Sequence, residues 1–122
     1  KVEDLGAGEI LLTSMDNEGT GNGFDNFITT KVAESVKIPV IAHGGAKDYQ
    51  DIEKVINESG ASAVALASML HYGVIKDLNY DSTDILEGNI SYLQGSKQFK
   101  SFFPNNIYNI KQQLKGVVPT RI

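Results

Sequence analysis

Three unbroken apolar runs, each followed by a polar or glycine-bearing loop, organise the first half of the chain. They are Glu9-Ile10-Leu11-Leu12-Thr13, Pro39-Val40-Ile41-Ala42 and Ala61-Ser62-Ala63-Val64-Ala65-Leu66-Ala67. Strands of a hairpin with one wet face alternate apolar with polar; these do not, so they read as strands of a buried parallel sheet. Between them, residues 24–36 predict a helix with Phe27, Ile28, Val32 and Val36 near 3.6-residue spacing. Residues 49–59 predict a second, with Ile52, Val55 and Ile56 on its inner face. Asp48 or Asp51 is placed to cap this helix and Gly60 to stop it. Strands alternating with helices in this way predict the α/β class, built from parallel βα units.

Beyond Ser68 the pattern loosens. Residues 69–75 allow one or two helical turns, and residues 76–105 are polar, with scattered aromatics and a short helix suggested over 83–94. A clear last helix follows: Asn105 or Asn106 caps it, Ile107, Ile110 and Leu114 form its apolar stripe, and Gly116 stops it. The expected organisation is three βα units over residues 1–75, an insertion of uncertain structure over 76–104, and a terminal helix and tail of the same domain over 105–122.

Composition narrows the function classes. A chain of 122 residues accommodates one domain with a real core. Its 11 Lys+Arg against 15 Asp+Glu give a net charge of −4, which speaks against nucleic acid or an anionic membrane as the main partner. Without cysteine there is no disulfide, thiolate metal site or Cys nucleophile, and two histidines make no metal cage. No cofactor motif is found either. Gly19-Thr20-Gly21-Asn22-Gly23 lacks the G-x-G-x-x-G spacing, and a calcium loop begun at Asp16 would need Glu where Phe27 stands. No apolar run reaches the roughly 20 residues of a membrane span, so a cytoplasmic protein is expected. The chain starts at Lys1 rather than Met, which suggests a fragment of a longer protein.

In parallel α/β folds, ligands bind at the C-terminal ends of the strands. Here those ends are residues 13–23, 43–46 and 67–68. Gly44-Gly45 lets backbone N–H groups approach an oxyanion, and Ser68 adds a hydroxyl at the start of a short helix. The alternative is that Gly44-Gly45 is only a tight turn. Asp16 and Glu18 lie two apart on one loop and, if extended, point to one side, where paired carboxylates can do acid/base work. Equally, Asp16 caps the loop and Glu18 is solvated. His43, at a strand end, is placed to touch a ligand, whereas His71 reads as packing or surface.

Several of these stretches together resemble one family. Gly6-Ala7-Gly8-Glu9-Ile10-Leu11-Leu12-Thr13-Ser14-Met15-Asp16, Gly19-Thr20 and Gly23-Phe24-Asp25 resemble the cyclase subunits of imidazole glycerol phosphate synthase. So do Ile38-Pro39-Val40-Ile41-Ala42 with Gly44-Gly45-Ala46, residues 60–68, and the closing stretch 106–115. The resemblance implies a TIM-type (βα)8 barrel, of which the present strands are the sixth to eighth. It implies a glutaminase partner whose ammonia crosses the barrel. A phosphorylated ribulosyl-carboxamide substrate is there cleaved and cyclised to imidazole glycerol phosphate and aminoimidazole carboxamide ribotide. No metal or cofactor is implied. The family's phosphate contacts fall on Gly19, Gly44, Gly45, Ala67 and Ser68, with Thr13, Ser14 and Asp16 lining the site.

Three departures shape the expectation. The family's two principal aspartates belong to the first and fifth strands, ahead of the strands present here, so Asp16 and Glu18 are the only carboxylate candidates. Glu18 replaces the family's usual Asp, which moves a carboxylate by one methylene where about 1 Å matters. The segment over 76–104 is absent from the typical cyclase. These departures admit two alternatives: a paralogue supplying ammonia for amidino-sugars of surface polysaccharide, and a non-catalytic phosphate-binding half-barrel. The partners expected are accordingly the missing N-terminal half of the barrel or a second copy of the chain.

Overall fold

Strands β1 (Ile10–Thr13), β2 (Val40–His43) and β3 (Ala63–Ala65) pair in parallel, in the order β1-β2-β3. The computed structural model describes residues 1–77 and 103–120. The suggested helix over 83–94 and most of the 76–104 segment lie outside the described residues. Helices α1 (Asn26–Ser35) and α2 (Tyr49–Ser59) make the crossovers, α3 (Ser68–Asp77) follows β3, and α4 (Ile107–Leu114) is the last. The parallel α/β class read from the sequence is what the chain forms.

Local chemistry sets the boundaries. Asp25 begins α1 by accepting the Ile28 N–H at 3.0 Å, so the helix starts two residues later than the spacing predicts. Both candidate aspartates serve α2. Asp48 is the N-cap and Asp51 returns its carboxylate to the cap backbone, a capping box. Gly60 closes α2 in the left-handed region at φ 73°. The third strand is shorter than the predicted 61–67 because its ends are claimed by the helices: Ala61 N–H donates to Val55 O, and Ala67 O accepts from His71 N–H in α3. Asn106, not Asn105, caps α4 through its side chain.

Consecutive right-handed crossovers that step the same way along a sheet put their helices on one face. Here that face carries Val40 and Ala42, both buried, and the core joins Ala42 to Ile52 and Val55 of α2 and to Ile110 and Leu114 of α4. Each of the Val, Ile and Leu side chains among them contributes about 1.5–3 kcal/mol by leaving water. The opposite face holds Leu11, Ile41 and Ala63 in one row and Thr13, His43 and Ala65 in the next. Leu11 on it is 60% exposed. A sheet clothed on one side only is the pattern of a barrel wall rather than of a doubly wound sheet.

The apolar stripe of α1 is not a buried one. Phe27 is 75% and Ile28 42% exposed, while the buried residue of α1 is Thr29. Thr29 returns its hydroxyl to Asp25 O at 2.7 Å, which removes the cost of burying it. α1 meets α2 through Asn26, whose side chain accepts from Ser59 Oγ at 2.9 Å. No helix among the described residues is long and apolar enough to cross a membrane.

Candidate functional site

A cleft of about 170 Å3 opens at the C-terminal ends of the strands. Its floor is the Gly44-Gly45 turn after β2, one wall is the loop after β1, and the other is the β3–α3 connection. The turn and the β1 loop are locked together. Ser14 N–H donates to His43 O at 3.0 Å, Gly23 N–H to Gly45 O at 2.8 Å, and Asn17 Nδ2 to Gly23 O at 3.1 Å. Gly44 and Gly45 both take φ near +95°, and a Cβ on Gly44 would stand 2.8 Å from Ser14 O. No larger residue fits there without moving the wall.

Ser68 opens α3, so its hydroxyl and the first N–H groups of a ten-residue helix stand at the cleft. Met69 beside it is buried and anchors the helix start in the core. Further along α3, Gly73 lies against the backbone of Asn105, whose N–H donates to Met69 O at 3.1 Å. Phe103 N–H in turn donates to Lys47 O at 2.9 Å, just past the glycine turn. The chain thus returns beside the cleft before entering α4.

The structure gathers Glu18, Gly19, Gly44, Gly45, Ala67 and Ser68 around the cleft. Thr13, Ser14 and Asp16 are not among its lining residues. Thr13 spends its hydroxyl on His43 Nδ1 at 3.1 Å, and Ser14 accepts the Glu18 N–H at 2.9 Å. The 14–20 stretch is a turn rather than an extended segment, with Thr20 N–H closing on Asn17 O. Asp16 and Glu18 therefore do not share a side by strand alternation: both are exposed, and only Glu18 reaches the cleft. His43 does line it, and His71 is exposed, stacked edge-on with Tyr72. Sequence reasoning passed over Ala65, Leu66 and Met69 and took in Gly21 only as part of the 13–23 loop. Gly21 follows Gly19 in the same loop, a signal that was available; Leu66 carries none.

Among the described residues, no cluster of three or more His, Asp or Glu side chains is placed to hold a metal ion. The arrangement suits a small anion: backbone without Cβ atoms, a hydroxyl at a helix start, and a concave floor.

Comparison with known proteins gives this geometry a family context. The model of the family described as "Histidine biosynthesis protein" matches residues 1–76. The chain is 63% identical over 71 residues to the "Imidazole glycerol phosphate synthase subunit HisF" of Prochlorococcus marinus strain MIT 9312. It is 62% identical over 71 residues to the subunit of the same name from strain MIT 9515. Each alignment takes in 58% of the present chain and 28% of the relative's length.

Proposed function

This chain belongs to the histidine biosynthesis protein family, and on that premise we propose that it forms part of the cyclase subunit of imidazole glycerol phosphate synthase. β1, β2 and β3 are then the sixth, seventh and eighth strands of a (βα)8 barrel. The single observation that carries the reading is the cleft at the strand ends, floored by Gly44-Gly45 and flanked by Ser68. It stands where barrels of this type bind phosphate. The identity to subunits named HisF favours the histidine pathway over the surface-polysaccharide and non-catalytic alternatives.

In this reading Gly19, Gly44, Gly45, Ala67 and Ser68 hold one phosphate of the ribulosyl-carboxamide substrate. Thr13 and Ser14 support the cleft from the end of β1. Ammonia released by a glutaminase subunit arrives along the sheet face that carries Leu11 and Ile41, the face that becomes the barrel interior. Asp16 and Glu18 are accessory carboxylates. The principal aspartates that the resemblance assigns to the first and fifth strands have no counterpart on β1–β3, so these 122 residues alone are expected to show negligible turnover. Residues 76–104 are an insertion between the phosphate-site helix α3 and the last helix α4.

A chimera tests the proposal. The 71-residue stretch of a Prochlorococcus HisF subunit that aligns with this chain is replaced by the present residues, and the gene is introduced into a histidine auxotroph lacking that subunit. Histidine-independent growth is expected, and its loss in the Ser68→Ala chimera. A folded, soluble chimera that leaves the auxotrophy unchanged would overturn the assignment.

A further inference from the structure

His43 ends β2, half-buried, where the strand gives way to the glycine turn, and it lines the cleft with Gly44, Gly45 and Ser68. The parallel register sets Thr13 beside it, and Thr13 Oγ1 lies 3.1 Å from His43 Nδ1. Nε2 has no partner among the described residues.

A threonine hydroxyl both donates and accepts, so it serves either charge state of the ring. When it donates to Nδ1, the neutral ring keeps its proton on Nε2. When the ring is charged, Nδ1–H donates to the hydroxyl and Nε2–H is still a donor. Thr13 thereby holds the ring in either charge state, and Nε2 is an N–H donor when the ring is charged and in the neutral tautomer whose Nδ1 accepts from Thr13.

The charge inventory gives that N–H a purpose. Among the described residues no Lys or Arg lines the cleft, and the ionisable side chains that do are His43 and Glu18. The other groups around His43 are uncharged: Thr13 on β1, Ala65 on β3, Ser68 and Met69 on α3. The Glu18 carboxylate opposes a bare anion. Among the described residues, His43 is therefore the side chain that can offer an entering anion positive charge.

We infer that His43 is the anion-recognising side chain of this cleft, donating from Nε2 to a phosphoryl oxygen and supplying positive charge as the pH falls. The inference rests on the phosphate reading of the cleft and adds the residue that makes binding pH-dependent.

Sulfate is the appropriate probe, because it stays a dianion between pH 8 and 5.5 while an imidazole ordinarily gains its proton there. Titration of the full chain with sulfate is expected to show affinity rising about tenfold over that interval, the scale of a charge-assisted hydrogen bond. His43→Gln, which keeps a neutral N–H donor, is expected to bind with no such rise. Ser68→Ala is expected to weaken binding at both pH values and keep the rise, as is His71→Gln without the weakening. In wild type at pH 5.5, the imidazole C–H resonance of His43 is expected to move with sulfate and that of His71 to stay, a readout that needs no variant to fold. A flat wild-type profile, an equal rise in His43→Gln or an unmoved His43 resonance would overturn the inference and leave the phosphate site standing. If wild type binds neither sulfate nor inorganic phosphate at either pH, the phosphate reading falls and takes the inference with it.

Discussion

Gly23 donates its N–H to the carbonyl of Gly45 at 2.8 Å, and the carbonyl oxygen of Gly23 lies in the space a Cβ on Gly45 would fill. That Cβ would also stand 2.9 Å from Asn17 Cβ, at a backbone φ of +95°. The obstacles are backbone and a short side chain, which cannot swing aside. Gly45→Ala is therefore expected to cost about 3 kcal/mol in urea unfolding and to abolish the phosphate binding proposed for the cleft. Gly8→Ala, with nothing within 4 Å of its added Cβ and an ordinary φ, is expected to stay within about 0.5 kcal/mol of wild type.

The sign of a second substitution reverses between a free helix and this one. In an isolated helix, alanine at Gly73 would be favoured by about 1 kcal/mol. In the fold, its Cβ would overlap the carbonyl and N–H of Asn105. Gly73→Ala is accordingly expected to destabilise the protein and to speed hydrogen exchange at the Asn105 N–H, which donates to Met69 O at 3.1 Å. A more stable variant with unchanged exchange would show that α3 and the 103–106 segment do not hold this contact in solution.

Why some of this was legible and some was not follows from the range of each cause. The three strands were readable because their residues are largely apolar on both faces of the sheet, although only the helix-covered face is buried here. A cap at Asp48 or Asp51 was readable because a cap and the N–H groups it serves lie within one turn, but that both act together in a capping box was not. The glycine floor was readable as a type of turn but not as a contact surface, since Gly45 meets Gly23 and Asn17, more than twenty residues away. The Thr13–His43 pair spans 30 residues and depends on strand register, which apolar runs do not specify. Phe27 and Ile28 misled for another reason. Helical spacing marks an apolar stripe but not whether a neighbour covers it, and on α1 Phe27 and Ile28 stand exposed while Thr29 is buried.

The capping box at α2 is worth a measured coupling. Asp48 accepts from Gln50 and Asp51 N–H, and Asp51 Oδ2 accepts from Lys47 N–H at 2.8 Å. Asp48→Ala is expected to cost about 1 kcal/mol. Asp51→Ala is expected to cost at least as much, because it also frees the loop that carries the glycine turn. Since the two carboxylates bond each other's backbone, the double variant should lose less than the sum of the singles, and strict additivity would mean that the box is not formed.

The two faces of the sheet make the last prediction, and it bears on the barrel directly. Val40 is 2% exposed on the helix-covered face, whereas Leu11 is 60% exposed on the other. Val40→Ala leaves a cavity and removes buried hydrocarbon, for an expected loss of about 2 kcal/mol. Leu11→Ala removes more hydrocarbon, but from water, so in the 122-residue chain by itself it is expected to cost under about 0.5 kcal/mol. Joined to the first five strands of a barrel, the same Leu11 becomes an interior residue, and its loss should rise to about 2–5 kcal/mol. Urea unfolding of both variants in the chain and in the chimera measures the difference. If Leu11→Ala stays silent in the chimera, the bare face does not become the barrel interior, and the assignment of β1–β3 to a barrel wall is wrong.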